Sequence, residues 1–221
     1  MGGDERGFPS EPDFEDGSPP PKPFVPSELR RIETQKRFTP KPKPLLQYQG
    51  RTIVRDQGRI AYLMLPNKFE LRQSSETDRY KRFDYMIPSY ESMRIGHWNW
   101  NNDESKFSKE IGDAFVALLA KDPHVLTEEE IEVAEDVIPL DLYGYNSDYD
   151  LLSLRTESFG GARCLVMETK WWNEDLKATG LFFPSDATGR GVESLHFEGS
   201  DVDYRKTWLS VKATFMRIKW R

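Results

Sequence analysis

Three histidines, a lone cysteine and a run of oxygen-bearing side chains from Asn146 to Glu157 are the groups on which catalysis or metal binding would draw. His97, His124 and His196 stand on three separate segments, and nothing in their spacing brings them to one ion, so neither a metal nor a cofactor is expected. Cys164 lies in an apolar run with Leu165, Val166 and Met167. Burial in such a strand raises a thiol's pKa and leaves it inert. A single cysteine also excludes an intrachain disulfide and a structural zinc site built from several thiolates. Asn146-Ser147-Asp148-Tyr149-Asp150, with Glu157 at the twelfth position, follows the donor spacing of a calcium loop, but Leu151 takes the sixth place, where the sharp turn wants glycine. The sequence holds no glycine-rich phosphate loop, no nucleophile elbow and no H-E-x-x-H. The expectation is therefore a protein that is not an enzyme.

Aromatic side chains offer a different chemistry. In His97-Trp98-Asn99-Trp100-Asn101, a strand would turn Trp98 and Trp100 to one face, as sheet core or as a platform for a partner or a sugar. His196 alternates with Leu195 and Phe197 and is expected on the polar, solvated side of its strand. Trp98, Trp100 and His196 together are the residues of an alternative reading: a hydrolase, or a protein that binds a small lipid or sugar ligand in a pocket. Tyr143 and Tyr145 stand in a tyrosine-rich loop from Leu142 onward, a composition that protein interfaces favour.

The first 45 residues are built differently from the rest. They hold ten of the fifteen prolines, which forbid regular ladders and favour extended backbone. Residues 1–21 carry six acids against Arg6, while residues 22–45 carry seven bases against Glu28 and Glu33. Phe8, Phe14, Phe24 and Phe38 are more large apolar groups than a solvating linker requires. We read residues 1–45 as an extended proline-rich arm whose phenylalanines dock on a partner, and residues 46–221 as one globular domain.

Within that domain, Arg51 to Arg55 and Arg59 to Leu65 read as a hairpin around Asp56-Gln57-Gly58. Residues 79–87 and 92–100 have strand composition. From Asn102 the period changes: Phe107, Ile111, Phe115, Leu118 and Leu119 predict a helix over 104–121, with Asn102, Asp103 and Ser105 as candidate caps. Thr127 and Glu130 have capping-box spacing for a second, shorter helix. Strands follow at 162–169, 178–183 and 192–198, and Tyr204, Trp208, Val211 and Phe215 predict a final helix over 202–216 that packs on a sheet. The expected fold class is α+β: an antiparallel sheet packed by an internal helix pair and a C-terminal helix.

The formal net charge is −6, which gives no general attraction to nucleic-acid phosphates or anionic lipid. No stretch reaches the roughly 20 apolar residues of a membrane helix, which leaves room only for peripheral association with a membrane complex. The opening Met1-Gly2-Gly3-Asp4-Glu5-Arg6 lacks the basic and then apolar pattern of a secretory signal. The sequence as given reads as cytoplasmic, with a periplasm or organelle lumen as the alternative had a targeting segment been removed. The expected partners are other protein subunits, not nucleic acid.

The stretch from Ile60 through Leu65, Pro66, Asn67 and Lys68 to Phe69 is similar to the opening of the PsbP/Mog1/DcrB-like proteins, a strand followed by proline, a short turn and phenylalanine. Gly161 to Val166, Leu195-His196-Phe197, the helix from Tyr204 to Phe215 and the closing Ile218-Lys219-Trp220 resemble that family's last strands and terminal helix. The resemblance implies an antiparallel sheet flanked by helices and an accessory factor that binds other proteins. It carries over no catalytic residue.

Overall fold

The computed structural model describes residues 47–48, 51–66, 68–76, 80–88, 90–100, 107–138, 149–171 and 175–221. Along the chain run β1 (Gln47–Tyr48), β2 (Arg51–Gln57), β3 (Ile60–Met64), β4 (Glu70–Glu76), β5 (Lys81–Ile87) and β6 (Tyr90–Trp100). Helices α1 (Lys109–Ala120) and α2 (Glu128–Val137) come next, then β7 (Tyr149–Phe159), β8 (Ala162–Trp171), β9 (Leu176–Pro184), β10 (Val192–Ser200), α3 (Asp201–Phe215) and β11 (Lys219–Trp220).

The strands form two sheets where the sequence suggested one. A four-stranded sheet has the order β1-β2-β3-β11, and a seven-stranded sheet the order β4-β5-β6-β10-β9-β8-β7. Each pairing among the described residues is antiparallel. Both faces of the large sheet are covered. On one face, Tyr85, Ile95, Cys164, Val166, Leu181, Leu195 and Phe197 meet Val54, Ile60 and Leu63 of the small sheet and Tyr204, Val211 and Phe215 of α3. On the other, Trp98, Leu165, Met167, Phe182 and Val192 meet Phe115, Leu118, Ala134 and Val137 of α1 and α2. The protein is thus an α+β domain in three layers, and its central strands are buried on both sides.

Local sequence explains the ends of the elements. The hairpin of β2 and β3 turns at Gly58–Arg59, with Gly58 at φ +52, a value glycine adopts without strain. Helix α1 starts later than its apolar period suggests, because Ser108 is the cap and its hydroxyl accepts the Ile111 N–H at 3.3 Å. Phe107 instead pairs with the loop before β10: its N–H donates to the Arg190 carbonyl at 2.7 Å, and its own carbonyl accepts from Arg190 Nε at 2.8 Å. Asn102, Asp103 and Ser105 lie outside the described residues. The capping box of Thr127 and Glu130 forms as its spacing predicts, closing the start of α2. Helix α3 is capped by Ser200, whose hydroxyl accepts the Asp203 N–H at 3.2 Å. Among the described residues, no helix is long and apolar enough to cross a membrane.

Candidate functional site

Two cross-strand partnerships build the polar centre of the large sheet. On the face toward α1 and α2, register places Arg82 of β5 opposite Trp98 of β6 and Trp98 opposite Ser194 of β10. The next row is Asp84, Gly96 and His196, and the next Met86, Arg94 and Glu198. Because side chains two apart share a face, charged and aromatic groups from the β5–β6 hairpin and from the distant strand β10 meet on one patch. Arg82 Nε lies 2.8 Å from Asp84 Oδ2, and Arg94 Nη2 lies 2.9 Å from Glu198 Oε2. The Arg82 guanidinium sits 4.4 Å from the Trp98 ring centroid, and Tyr80 stacks on Trp98 at 5.3 Å. Burial pushes the Asp84 carboxyl above the usual carboxylate range against the pull of Arg94 and Arg82. His196 is driven well below the usual imidazole range, first by burial and then by the nearby Arg94, Arg82 and His97. Both groups are thus moved toward their neutral forms.

Trp98 and His196, from the alternative pocket reading, do come together, with ring centroids 5.8 Å apart. Their surroundings correct the expectation of a solvated imidazole: His196 is only 2% exposed. The strand alternates as predicted, but its second face is covered by a helical layer rather than by water. The imidazole fills the notch over Gly96, where a Cβ would stand 2.3 Å from His196 Nε2. What the sequence suggested as a pocket wall is therefore a packed polar core. The Trp100 backbone lies opposite Val192, and its side chain is outside the described residues. Phe8, Phe14, Phe24, Phe38, Tyr143 and Tyr145 also lie outside them.

On the opposite face Glu193 forms a second polar centre. Its carboxylate accepts the Arg59 backbone N–H at 2.9 and 3.0 Å and faces His97 Nε2 at 2.9 Å. Glu193 and His97 are each 1% exposed. A carboxylate partner fixes the tautomer, with Nε2–H donating. His124 stands apart in the α1–α2 connection, its Nε2 2.9 Å from Glu130 Oε2. The three histidines therefore occupy three separate settings, and among the described residues no three His, Cys, Asp or Glu side chains are grouped to hold a metal ion. Cys164 is buried and its thiol is pushed up by burial. Glu157, the twelfth position of the calcium-like spacing, lies in β7, where its carboxylate meets Arg155 at 3.2 Å and Lys212 at 2.6 Å.

Sequence reasoning missed Arg82, Asp84, Arg94, Glu193 and Glu198. The available signal was the recurrence of charged residues at every second position inside segments of otherwise apolar strand composition, at 82 and 84 and again at 196 and 198.

An open concavity lies elsewhere, between α3, the end of β3 and β5. It measures about 360 Å³, with Leu65, Phe69 and Ile87 among its apolar lining and Arg51, Ser210 and Arg217 among its polar lining.

No family model and no curated protein matches this chain. Among solved structures, protein PA94 of Pseudomonas aeruginosa, of unknown function, is similar over 77% of this chain and 97% of its own, with 16% sequence identity and a TM-score of 0.39. That overlap says nothing about what either protein binds.

Proposed function

We propose that this protein is a non-enzymatic accessory subunit that binds other proteins, with residues 1–45 as the arm that docks on a partner in a larger complex. One observation carries the reading: the body keeps large apolar side chains at its surface, with Leu209, Val125 and Val202 more than half exposed, while the ionisable groups of its central sheet are tied to one another inside. Exposed apolar groups on the body and a two-signed, phenylalanine-bearing sequence in residues 1–45 suit protein association better than chemistry on a small substrate. Membership among the PsbP/Mog1/DcrB-like proteins belongs to the same proposal, supported by the strand-proline-phenylalanine opening at Ile60 to Phe69 and the terminal helix. The test compares the intact chain with residues 46–221 in affinity purification from the native source. Removal of the arm abolishes co-purification and leaves the thermal melt of the body unchanged; an unaltered partner list refutes the reading.

A second reading, a hydrolytic or small-ligand site at Trp98, Trp100 and His196, draws on the opposed shifts of Asp84 and His196 on one buried patch. It requires the patch to open, and predicts that D84N and H196N each abolish turnover or binding of the same ester, lipid or sugar probe while the fold persists. Full retention of that binding or turnover removes it.

A further inference from the structure

The concavity between α3, the end of β3 and β5 has walls of three kinds. The helical wall is a stripe: Thr207, Ser210, Thr214 and Arg217 follow one another at spacings of three, four and three, which at 3.6 residues per turn sets them along one side of α3. Tyr204, Val211 and Phe215, which bury the helix in the core, point about a third of a turn away. The three hydroxyl side chains are short, so the helix leaves room beside it where longer ones would fill the space.

The floor is apolar and fixed in place. Leu65, Phe69 and Ile87 supply it, and all three are buried. Thr52, itself buried, ties both ends of the β3–β4 connection to β2. Its carbonyl accepts the Leu65 N–H at 2.9 Å, and its hydroxyl donates to the Phe69 carbonyl at 2.5 Å. Thr207 fastens the helical side, with its hydroxyl 3.5 Å from Met93 Sδ. The concavity is therefore formed before anything enters it, as small-molecule sites usually are.

The rim is cationic. Arg51 and Arg217 line the concavity and no acidic side chain does. Glu70, the carboxylate next to Phe69 in the chain, pairs with Arg72 at 3.6 Å. Among the described residues no carboxylate forms an ion pair with Arg217. A guanidinium presents a planar fork of N–H donors that matches a carboxylate.

We propose that this concavity binds a small organic acid, its carboxylate held by the Arg217 and Arg51 guanidiniums and the Ser210 hydroxyl, its apolar body lying over Leu65, Phe69 and Ile87. A volume of about 360 Å³ is at the small end of ligand sites, which run from roughly 300 to 1,000 Å³. It suits a single ring or a short chain rather than a lipid tail or a nucleotide. A bare inorganic anion would leave the apolar floor uncovered, and a neutral apolar molecule would leave the cationic rim unused. The site is independent of residues 1–45 and of the polar centre at Asp84 and His196.

Titration of the intact chain with 3-phenylpropionate, followed by calorimetry and by the backbone amide NMR signals, tests this. The acid binds saturably with a dissociation constant on the order of a millimolar or tighter, and the shifts fall on residues 65–69 and 207–217. The neutral amide of the same acid and inorganic phosphate each bind at least about tenfold more weakly, since each lacks one half of the recognition. R217Q and S210L are both at exposed positions and leave the melt unchanged. R217Q weakens binding about tenfold by removing one charge-assisted contact, and S210L abolishes it by filling the concavity with both guanidiniums still present. R205Q, on the far side of α3, leaves the affinity as it was. Absence of saturable binding, or saturable shifts that fall elsewhere, overturns the proposal. So does full affinity in S210L, or a loss in R205Q equal to that in R217Q. Equal binding of the amide overturns the carboxylate as the recognised group, and equal binding of phosphate overturns the role of the apolar floor.

Discussion

Glu193 and Arg59 are joined across 134 positions of sequence: both carboxylate oxygens of Glu193, on the central strand β10, accept the Arg59 backbone N–H that closes the β2–β3 turn. The small sheet is thereby fastened to the middle of the large one by a buried charge-assisted contact, shared with His97.

Removal of this acceptor leaves a buried N–H and a buried imidazole without their partner, a loss that such groups do not recover from solvent. E193A is expected to destabilise the domain by about 3 kcal/mol, and E193Q, which keeps one acceptor, by about 1–2 kcal/mol. G58A is expected to be costly as well, since its φ is +52 and an added Cβ would stand 2.1 Å from Glu193 Oε2. Urea denaturation of the three variants measures these losses, and equal stability of E193A and wild type contradicts the fastening.

Two histidines are expected to respond to pH in opposite directions. His196 is held neutral, so below its ordinary value of 6.5 the unfolded chain takes up the proton first, and stability falls as pH drops through that region. His124 is raised, by the Asp122 carbonyl first and then by Glu130. Its contribution is complete below 6.5 and is lost as pH rises through its folded value. NMR titration checks both: the His196 ring shows no protonation between pH 7 and the onset of unfolding, whereas His124 titrates above the ordinary imidazole value.

The start of α2 depends on Glu130, which accepts from Lys121 Nζ at 2.6 Å and from the Thr127 N–H at 2.9 Å, and whose carboxyl is lowered to about 2 by Lys121 first. That stabilisation is present above the ordinary value of 4.5 and is lost as pH falls toward 2. E130Q flattens the acid limb of the stability curve in this window. T127A is expected to cost about 1 kcal/mol, the usual worth of a cap. Hydrogen exchange at the amides of α2 reports both.

Cys164 is expected to resist thiol reagents in the folded protein and to react only through global unfolding, because it is buried and its thiol is held up by burial. Labelling in rising urea should follow the unfolding curve; rapid labelling in buffer contradicts the packing of β8.

The elements with a strong local period were legible: the β2–β3 hairpin, the capping box at Thr127 and Glu130, the strands now seen as β8, β9 and β10, and the final helix. What escaped was decided at long range or by a break in phase. β4, Glu-Leu-Arg-Gln-Ser-Ser-Glu, is a polar edge strand with almost no apolar alternation. In β7 the register shifts between Leu151 and Ser153, so the residues before and after the shift cannot be read as one alternating series. The partners of β11 and β1 are two-residue pairings that no pattern announces. His196 was placed on the right face of its strand and given the wrong surroundings. Its neighbours Arg82 and Arg94 lie about a hundred positions away, and the helical layer above it comes from yet another segment.

The notch at Gly96 and the imidazole that occupies it act like a key in a lock between β6 and β10. If either strand slid by one residue, His196 would face Ile95 or His97 and its ring would collide with a side chain in place of empty space. The innermost pair of strands can therefore align in one way only, and a glycine, the residue with the least to offer a core, decides how the whole sheet is threaded.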